Sequence, residues 1–111
     1  MPSAERVLPE LPGILTGDQV RTTVAWIAGE QAADGALPWF RGGQLDAWDS
    51  VEAAMALDTG GKHDRARAAY RWLAGRQRPD GSWAAEYRDG AEVTADVESN
   101  HAGYLAVGVW H

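Results

Sequence analysis

The chain contains no cysteine among its 111 residues. It therefore has no thiol nucleophile and no zinc site with cysteine ligands. Apolar residues never run for the eighteen or so positions that a membrane-spanning helix needs, and the first ten residues lack the hydrophobic region of a secretion signal. We therefore expect a cytoplasmic protein without a membrane span.

Basic residues are also few. Ten lysines and arginines stand against sixteen acidic residues, which gives a formal net charge of −6. Nucleic acids and anionic membranes are bound through basic surfaces that displace counterions. The composition therefore predicts one small domain that binds neither nucleic acid nor an anionic membrane.

Aromatic residues are strongly biased, with six tryptophans against one phenylalanine. The bias reflects an internal repeat, because WIAGEQAADGALPW (26–39) matches WLAGRQRPDGSW (72–83) at a constant offset of 46 residues. The same offset also aligns a Val-Glu pair farther along the chain. We therefore predict an N-terminal extension and two repeats, with these boundaries: extension 1–15, first repeat 16–61, second repeat 62–111.

Each repeat is predicted to form two helices. Thr16 with Gln19, and Asp49 with Glu52, have the spacing of a capping box. Apolar periodicity then places helices over about 17–31, 49–60, 64–77 and 96–110. The first and third are amphipathic, whereas the second and fourth are small and apolar nearly all round. This pattern predicts an all-α fold of helical hairpins, part of an (α/α) toroid with alternating outer and inner helices.

The segment from Arg67 to Trp83, with Gln77 and Gly81, resembles the QW repeat of the α/α-toroid superfamily, which includes terpene cyclases and protein prenyltransferase β-subunits. Residues 10–111 also resemble the N-terminal part of actinobacterial proteins called prenyltransferase-like. The first copy departs from the motif, because two further residues precede its aromatic residue. The resemblance implies a toroid with an isoprenoid or other hydrophobic ligand in its central cavity, and prenyltransferase or terpene-cyclase chemistry.

The motif residues themselves are expected to be structural. A glutamine at the end of an outer helix can bond the free backbone groups of neighbouring helix ends, and an Asp-Gly pair supplies a tight turn. We therefore expect five residues to hold the helices together rather than to contact a substrate: Trp26, Gln31, Trp72, Gln77 and Trp83.

Acidic and aromatic residues gather at the predicted start of each inner helix. The candidate catalytic residues are Asp49, Glu52, Asp96 and Glu98, and the candidate substrate-binding residues are Trp39, Trp48 and His101. Because the offset aligns Glu52 with Glu98, we expect both at similar depth on adjacent inner helices. Asp49 and Asp96 have a structural alternative as helix caps, and His101 has one as a hydrogen-bonded core residue.

Three functions stay open at this point. Aromatic walls stabilise carbocations in terpene cyclases and stack on sugars in carbohydrate enzymes built on similar rings. The first hypothesis is a prenyltransferase-like or terpene-cyclase enzyme, although the Asp-x-Asp-Asp and Asp-Asp-x-x-Asp motifs are missing. The second is a glycoside hydrolase-like enzyme that uses two carboxylates. The third is a binding or scaffold protein without catalysis.

Partners follow from the number of repeats. Helical repeats bury their faces by stacking, and fewer than three rarely stand alone. We therefore expect further toroid repeats, or self-association, around a small-molecule ligand. The sequence identifies neither a cofactor nor a metal site.

Overall fold

The computed structural model describes residues 7–111, and over this range the protein is mostly helical. Its elements are α1 (Gly17–Glu30), α2 (Ala47–Thr59), α3 (His63–Ala74), β1 (Tyr87–Arg88), β2 (Ala91–Glu92) and α4 (Ser99–Trp110). Residues 1–6 of the predicted N-terminal extension lie outside the described residues. Of the helices described, none combines the length and the apolar character that crossing a membrane requires.

Helix α2 lies at the centre of the fold, because α1, α3 and α4 all pack against it. Val51, Ala54 and Leu57 on α2 are completely buried, but α2 is not buried all round as predicted, because its Glu52 is exposed. Helix α4 differs from the prediction, because one side of it faces solvent. Its Val109 and Trp110 are exposed, although both belong to the apolar sequence that predicted burial all round.

The N-termini of the first two helices are capped by side chains. Thr16 Oγ1 accepts a hydrogen bond from the Gln19 amide at 3.2 Å, and Gln19 Oε1 accepts one from the Thr16 amide at 2.8 Å, as predicted. Helix α2 begins earlier than predicted, because Asp46 is its N-cap and accepts from the Asp49 amide at 2.8 Å. Asp49 therefore lies in the first turn, where its backbone amide is capped, and is not itself the cap.

The second repeat is longer than the first between its helices. Helix α3 begins 46 residues after α1, but α4 begins 52 residues after α2. Part of the additional chain forms the β1–β2 hairpin, which pairs Tyr87 with Glu92. Its turn is Asp89-Gly90, with φ values of 51° and 79°, the conformation that Asp-Gly turns favour. The sequence analysis did not predict this hairpin.

The longer connection corrects two predictions. Asp96 does not cap α4, because the helix begins only at Ser99. Glu52 and Glu98 do not occupy equivalent positions either, because Glu52 lies in the second turn of α2 whereas Glu98 directly precedes α4. A fixed offset of 46 residues cannot hold across a segment in which one repeat carries additional residues.

The glutamines of the QW motif bond backbone carbonyls, as expected. Gln31 Nε2 donates to the carbonyl oxygens of Gly35 and Arg65, both at 2.9 Å, and so joins the end of α1 to α3. Gln77 Nε2 donates to the Gly81 oxygen at 3.1 Å.

The tryptophans of the motif divide into two groups. Trp72 Nε1 donates to Asp34 at 3.0 Å, and the buried Trp83 Nε1 donates to the Leu73 oxygen at 2.7 Å, so both have the expected structural role. Trp26 is the exception, because it is 61% exposed.

A backbone bridge joins the two repeats beside the start of α2. The Leu45 amide donates to the Tyr87 oxygen at 2.9 Å, and the Tyr87 amide donates to the Leu45 oxygen at 2.8 Å. Tyr87 is 1% exposed, and its hydroxyl accepts from the Ala84 amide at 3.0 Å. The hairpin segment is therefore fixed against the loop that leads into α2.

Candidate functional site

A cavity of about 460 Å³ lies between the N-terminal ends of α2 and α4, within the usual size range of ligand pockets. We call it the Trp48 cavity. Its lining includes six of the seven residues that the sequence suggested, together with four more: Trp39, Trp48, Asp49, Glu52, Glu98 and His101, then Gln44, Asp46, Ala85 and Glu86. Asp96, the seventh, lies outside this lining.

Trp48 forms one wall of the cavity, and other side chains fix its orientation. Its ring stacks on that of Tyr104, with 4.8 Å between the centroids, and meets the His101 ring edge-on at 6.4 Å. Its indole nitrogen donates to Glu52 Oε1 at 2.8 Å. Glu52 is therefore a positioning residue for Trp48.

A second carboxylate orients Trp39 in the same way. The Trp39 indole nitrogen donates to Asp46 Oδ2 at 2.7 Å, while Asp46 Oδ1 caps α2. Asp46 thus fixes the position of an indole ring relative to the first turn of the helix. The sequence analysis did not choose Asp46, although it lies three residues before Asp49, which is the spacing of an N-cap.

The carboxyl group of Asp49 has a perturbed pKa. Partial burial raises its pKa above the ordinary aspartate value, the neighbouring carboxylates of Asp46 and Glu52 raise it further, and His101 lowers it in part. A carboxyl group that retains its proton to higher pH than usual can donate that proton to a leaving group.

The second repeat also contributes to the lining of the cavity. His101 is buried, 5% exposed, and its Nε2 lies 3.3 Å from Glu98 Oε2. Its Nδ1 is buried without a hydrogen-bond partner among the described residues. Glu86, which the sequence analysis missed, lies 3.6 Å from the Arg88 guanidinium. The location of Glu86 depends on the hairpin, so the helical pattern gave no signal for it.

The sequence analysis treated Trp39 as the aromatic residue of the first QW copy, displaced by two residues. The structure does not place Trp39 in the position that Trp83 has in the second repeat. At the offset of 46 residues, Leu37 aligns with Trp83, and both are buried, at 3% and 8% exposure. Trp39 aligns with Ala85, and both of these line the Trp48 cavity. The aromatic residue of the first copy therefore belongs to the cavity and not to the core.

Across residues 7–111, no three histidine or acidic side chains are arranged to bind one metal ion together.

Comparison with known proteins gives one close match. The chain is 50% identical over 104 residues, 94% of its length, to a protein of Mycolicibacterium hassiacum named MMP endo-(1,4)-3-O-methyl-alpha-D-mannosidase. The chain spans 29% of the length of this relative. The match extends across the Trp48 cavity, because few residues of the chain fall outside it and the lining lies between positions 39 and 101. No family model matches the chain.

The mannosidase relative overturns the resemblance to prenyltransferase-like proteins. The assignment to prenyltransferases or terpenoid cyclases, with an isoprenoid ligand, is wrong. The QW motif misled because Gln31, Gln77, Trp72 and Trp83 make contacts within the fold, and one fold serves many reactions. The chain is similar over nearly its whole length to part of a glycoside hydrolase-like mannosidase, which agrees with the second of the three hypotheses.

Proposed function

We propose that this chain forms part of the active site of a glycoside hydrolase that cleaves α-mannosidic bonds within a (1,4)-linked, O-methylated sugar chain. The observation that carries the proposal is the 50% identity to a mannosidase over 104 residues, a stretch that includes the Trp48 cavity. The chemistry of the cavity supports it independently, as described below.

The lining of the Trp48 cavity suits a sugar. The rings of Trp39 and Trp48 offer apolar surfaces for the C–H faces of sugar rings, as tryptophans do in many binding sites. Gln44, Glu86 and the oxygens of the other carboxylates can accept hydrogen bonds from sugar hydroxyls. A cavity that combines indole rings with several acids therefore fits a neutral, hydroxyl-rich ligand better than an anionic one.

Asp49 takes the role of general acid in this proposal. Glycosidic bond cleavage needs a proton on the leaving oxygen, which a carboxylic acid with a raised pKa supplies. Burial and the carboxylates of Asp46 and Glu52 raise the pKa of Asp49. Glu52 and Glu98 act beside it by orienting Trp48 and His101.

The rest of the active site comes from further repeats in this proposal. Most glycoside hydrolases place two carboxyl groups on opposite sides of the scissile bond. Because the chain spans 29% of its relative, we propose that additional helical hairpins complete an (α/α) toroid and provide the second catalytic carboxylate.

The test uses the protein at its natural full length. Wild type, Asp49→Asn and the control Asp96→Asn are incubated with a (1,4)-linked 3-O-methyl-α-mannose oligosaccharide, and the product lengths are read by mass spectrometry. We expect wild type and Asp96→Asn to cleave it, and Asp49→Asn to lose about 10²- to 10⁴-fold in kcat, the usual contribution of a general acid.

Two results would contradict the proposal. If the wild-type protein leaves the oligosaccharide intact, it is not a glycoside hydrolase for this substrate. If Asp49→Asn cleaves as fast as Asp96→Asn, Asp49 is not the general acid, although the proposed activity stands.

A further inference from the structure

A second cavity, of about 360 Å³, lies directly beside the first. We call it the Trp26 cavity. Its lining includes Trp26, Ile27, Glu30, Pro38, Trp39 and Asp49. Trp39 and Asp49 also line the Trp48 cavity, so these two side chains stand where the cavities adjoin.

Trp26 has no structural role comparable to that of its repeat counterpart. Trp72 is 5% exposed, and its indole nitrogen donates to Asp34. The Arg76 guanidinium carbon lies 4.3 Å from the centroid of the Trp72 ring, and the Tyr87 ring meets it edge-on with 5.4 Å between the centroids. Trp26 is instead 61% exposed in the wall of the second cavity. A large aromatic surface that the core does not use is available to contact a ligand.

The two cavities differ in chemistry. Five carboxylic side chains line the Trp48 cavity: Asp46, Asp49, Glu52, Glu86 and Glu98. The Trp26 cavity has two, Glu30 and Asp49, and its other side chains are apolar. One oxygen of Glu30 is already engaged, because Oε2 accepts from the Arg41 amide at 2.9 Å.

This difference matches the difference between two kinds of sugar substituent. A free hydroxyl needs a hydrogen-bond partner when it leaves water, which the acidic cavity provides. A methyl ether has no proton to donate and adds an apolar group, which gains by contact with Ile27, Pro38 and the ring of Trp26.

We infer that the Trp26 cavity is a second sugar subsite that binds an O-methylated unit, next to the unit in the Trp48 cavity, with Asp49 at the bond between them. The inference rests on the proposed function. It adds that the Trp26 cavity recognises the methyl group and that Trp26 is the residue that contacts it.

The test compares two substrates at natural protein length. One is a (1,4)-linked 3-O-methyl-α-mannose oligosaccharide, and the other is the unmethylated chain of the same length. The variants are Trp26→Ala, Trp26→Phe and the control Trp110→Ala, because Trp110 is 92% exposed and lines neither cavity.

We expect Trp26→Ala to lower kcat/KM for the methylated chain about tenfold or more. A hydrophobic pocket typically discriminates by this factor between ligands that differ by one methyl group. The loss for the unmethylated chain should be markedly smaller. Trp26→Phe should retain most of the preference because it keeps an aromatic face, and Trp110→Ala should behave as wild type. The melting temperature of Trp26→Ala should stay close to that of wild type.

Other outcomes overturn the inference. Equal kcat/KM for wild type and Trp26→Ala on both chains would exclude the subsite while leaving the proposed activity intact. Equal losses on both chains, or a loss that follows a lowered melting temperature in both Trp26 variants, would exclude recognition of the methyl group. If wild type cleaves neither chain, the proposed function fails first and the subsite fails with it.

Discussion

Leu37 occupies in the first repeat the buried position that Trp83 occupies in the second. The two residues align at the repeat offset, and their exposed fractions are 3% and 8%. Leucine fills this position with an apolar side chain but has no indole nitrogen to bond the end of the preceding helix, as Trp83 bonds the Leu73 oxygen. The tryptophan of the first copy, Trp39, lies two residues later and lines the Trp48 cavity.

Shortening Leu37 should therefore weaken the fold strongly. We expect Leu37→Ala to lower the free energy of unfolding by about 2–5 kcal/mol, the usual cost of removing a buried leucine side chain. Leu11→Ala is the matched control, because Leu11 is 54% exposed, and it should change stability by less than about 1 kcal/mol. Chemical denaturation followed by circular dichroism measures both. Equal losses would show that Leu37 does not belong to the core.

The two QW glutamines should differ in their contribution to stability. Gln31 bonds Gly35 in its own loop and Arg65 on α3, whereas Gln77 bonds Gly81 in its own loop. Gln31→Met should therefore cost about 1–3 kcal/mol, because it leaves carbonyl groups in two elements without that partner. Gln77→Met should cost less. A larger loss for Gln77→Met would mean that the contact between α1 and α3 does not depend on this amide.

The turns that follow Gln31 and Gln77 each contain a glycine at an equivalent position of the repeat. Gly35 and Gly81 both have positive φ, 99° and 89°, so alanine is strained at either position. A Cβ at Gly35 would also lie 2.5 Å from the Ala68 carbonyl oxygen, whereas the nearest atom at Gly81 is 3.9 Å away.

Gly81→Ala should accordingly cost about 1–2 kcal/mol, the price of the left-handed conformation alone. Gly35→Ala should cost about 3 kcal/mol or more, because the α3 backbone must also move. Thermal melts of the two variants side by side decide the matter, and equal melting temperatures would contradict the close approach of this turn to α3.

The pKa of Asp49 should move in opposite directions when its neighbours change. Asp46→Asn should lower the pKa of Asp49, because it removes a nearby negative charge while asparagine can still cap α2. His101→Gln should raise this pKa, because the histidine lowers it in the native protein. Carbon NMR titration of the Asp49 carboxyl group measures both shifts, with Asp18→Asn on α1 as a control that should leave it unchanged.

The two pKa shifts should also change the pH dependence of the activity. A general acid must be protonated to act. If its pKa is lowered, the rate therefore begins to fall at a lower pH. The alkaline side of the pH–rate profile should therefore move to lower pH in Asp46→Asn and to higher pH in His101→Gln. Shifts in the same direction for both variants would contradict the role of these two charges.

Sequence reasoning predicted the helices well where local signals were strong. The capping box of Thr16 and Gln19 and the paired glutamines are local patterns, and the structure confirms both. Six of the seven candidate residues line one cavity because they lie at or near the starts of α2 and α4, and these two helices pack against each other.

Sequence reasoning failed where the two repeats differ in length. The alignment of Glu52 with Glu98 and the cap at Asp96 both assumed a constant offset, which the chain between 84 and 98 breaks. The Asp89-Gly90 dipeptide was the available signal for a turn there. Glu86 could not be chosen, because its place in the cavity depends on that turn and on the pairing of Leu45 with Tyr87.

The β1–β2 hairpin follows directly after Ala85 and Glu86, which line the Trp48 cavity, and the described part of the first repeat has no strand pair at the matching place. The two repeats therefore contribute unlike side chains to one cavity. The first presents the indoles of Trp39 and Trp48, and the second presents Glu86 and the buried His101. A sugar chain has a reducing end and a non-reducing end that differ chemically. We therefore expect the proposed substrate to bind in one direction, because a chain turned end for end would bring different groups to these side chains.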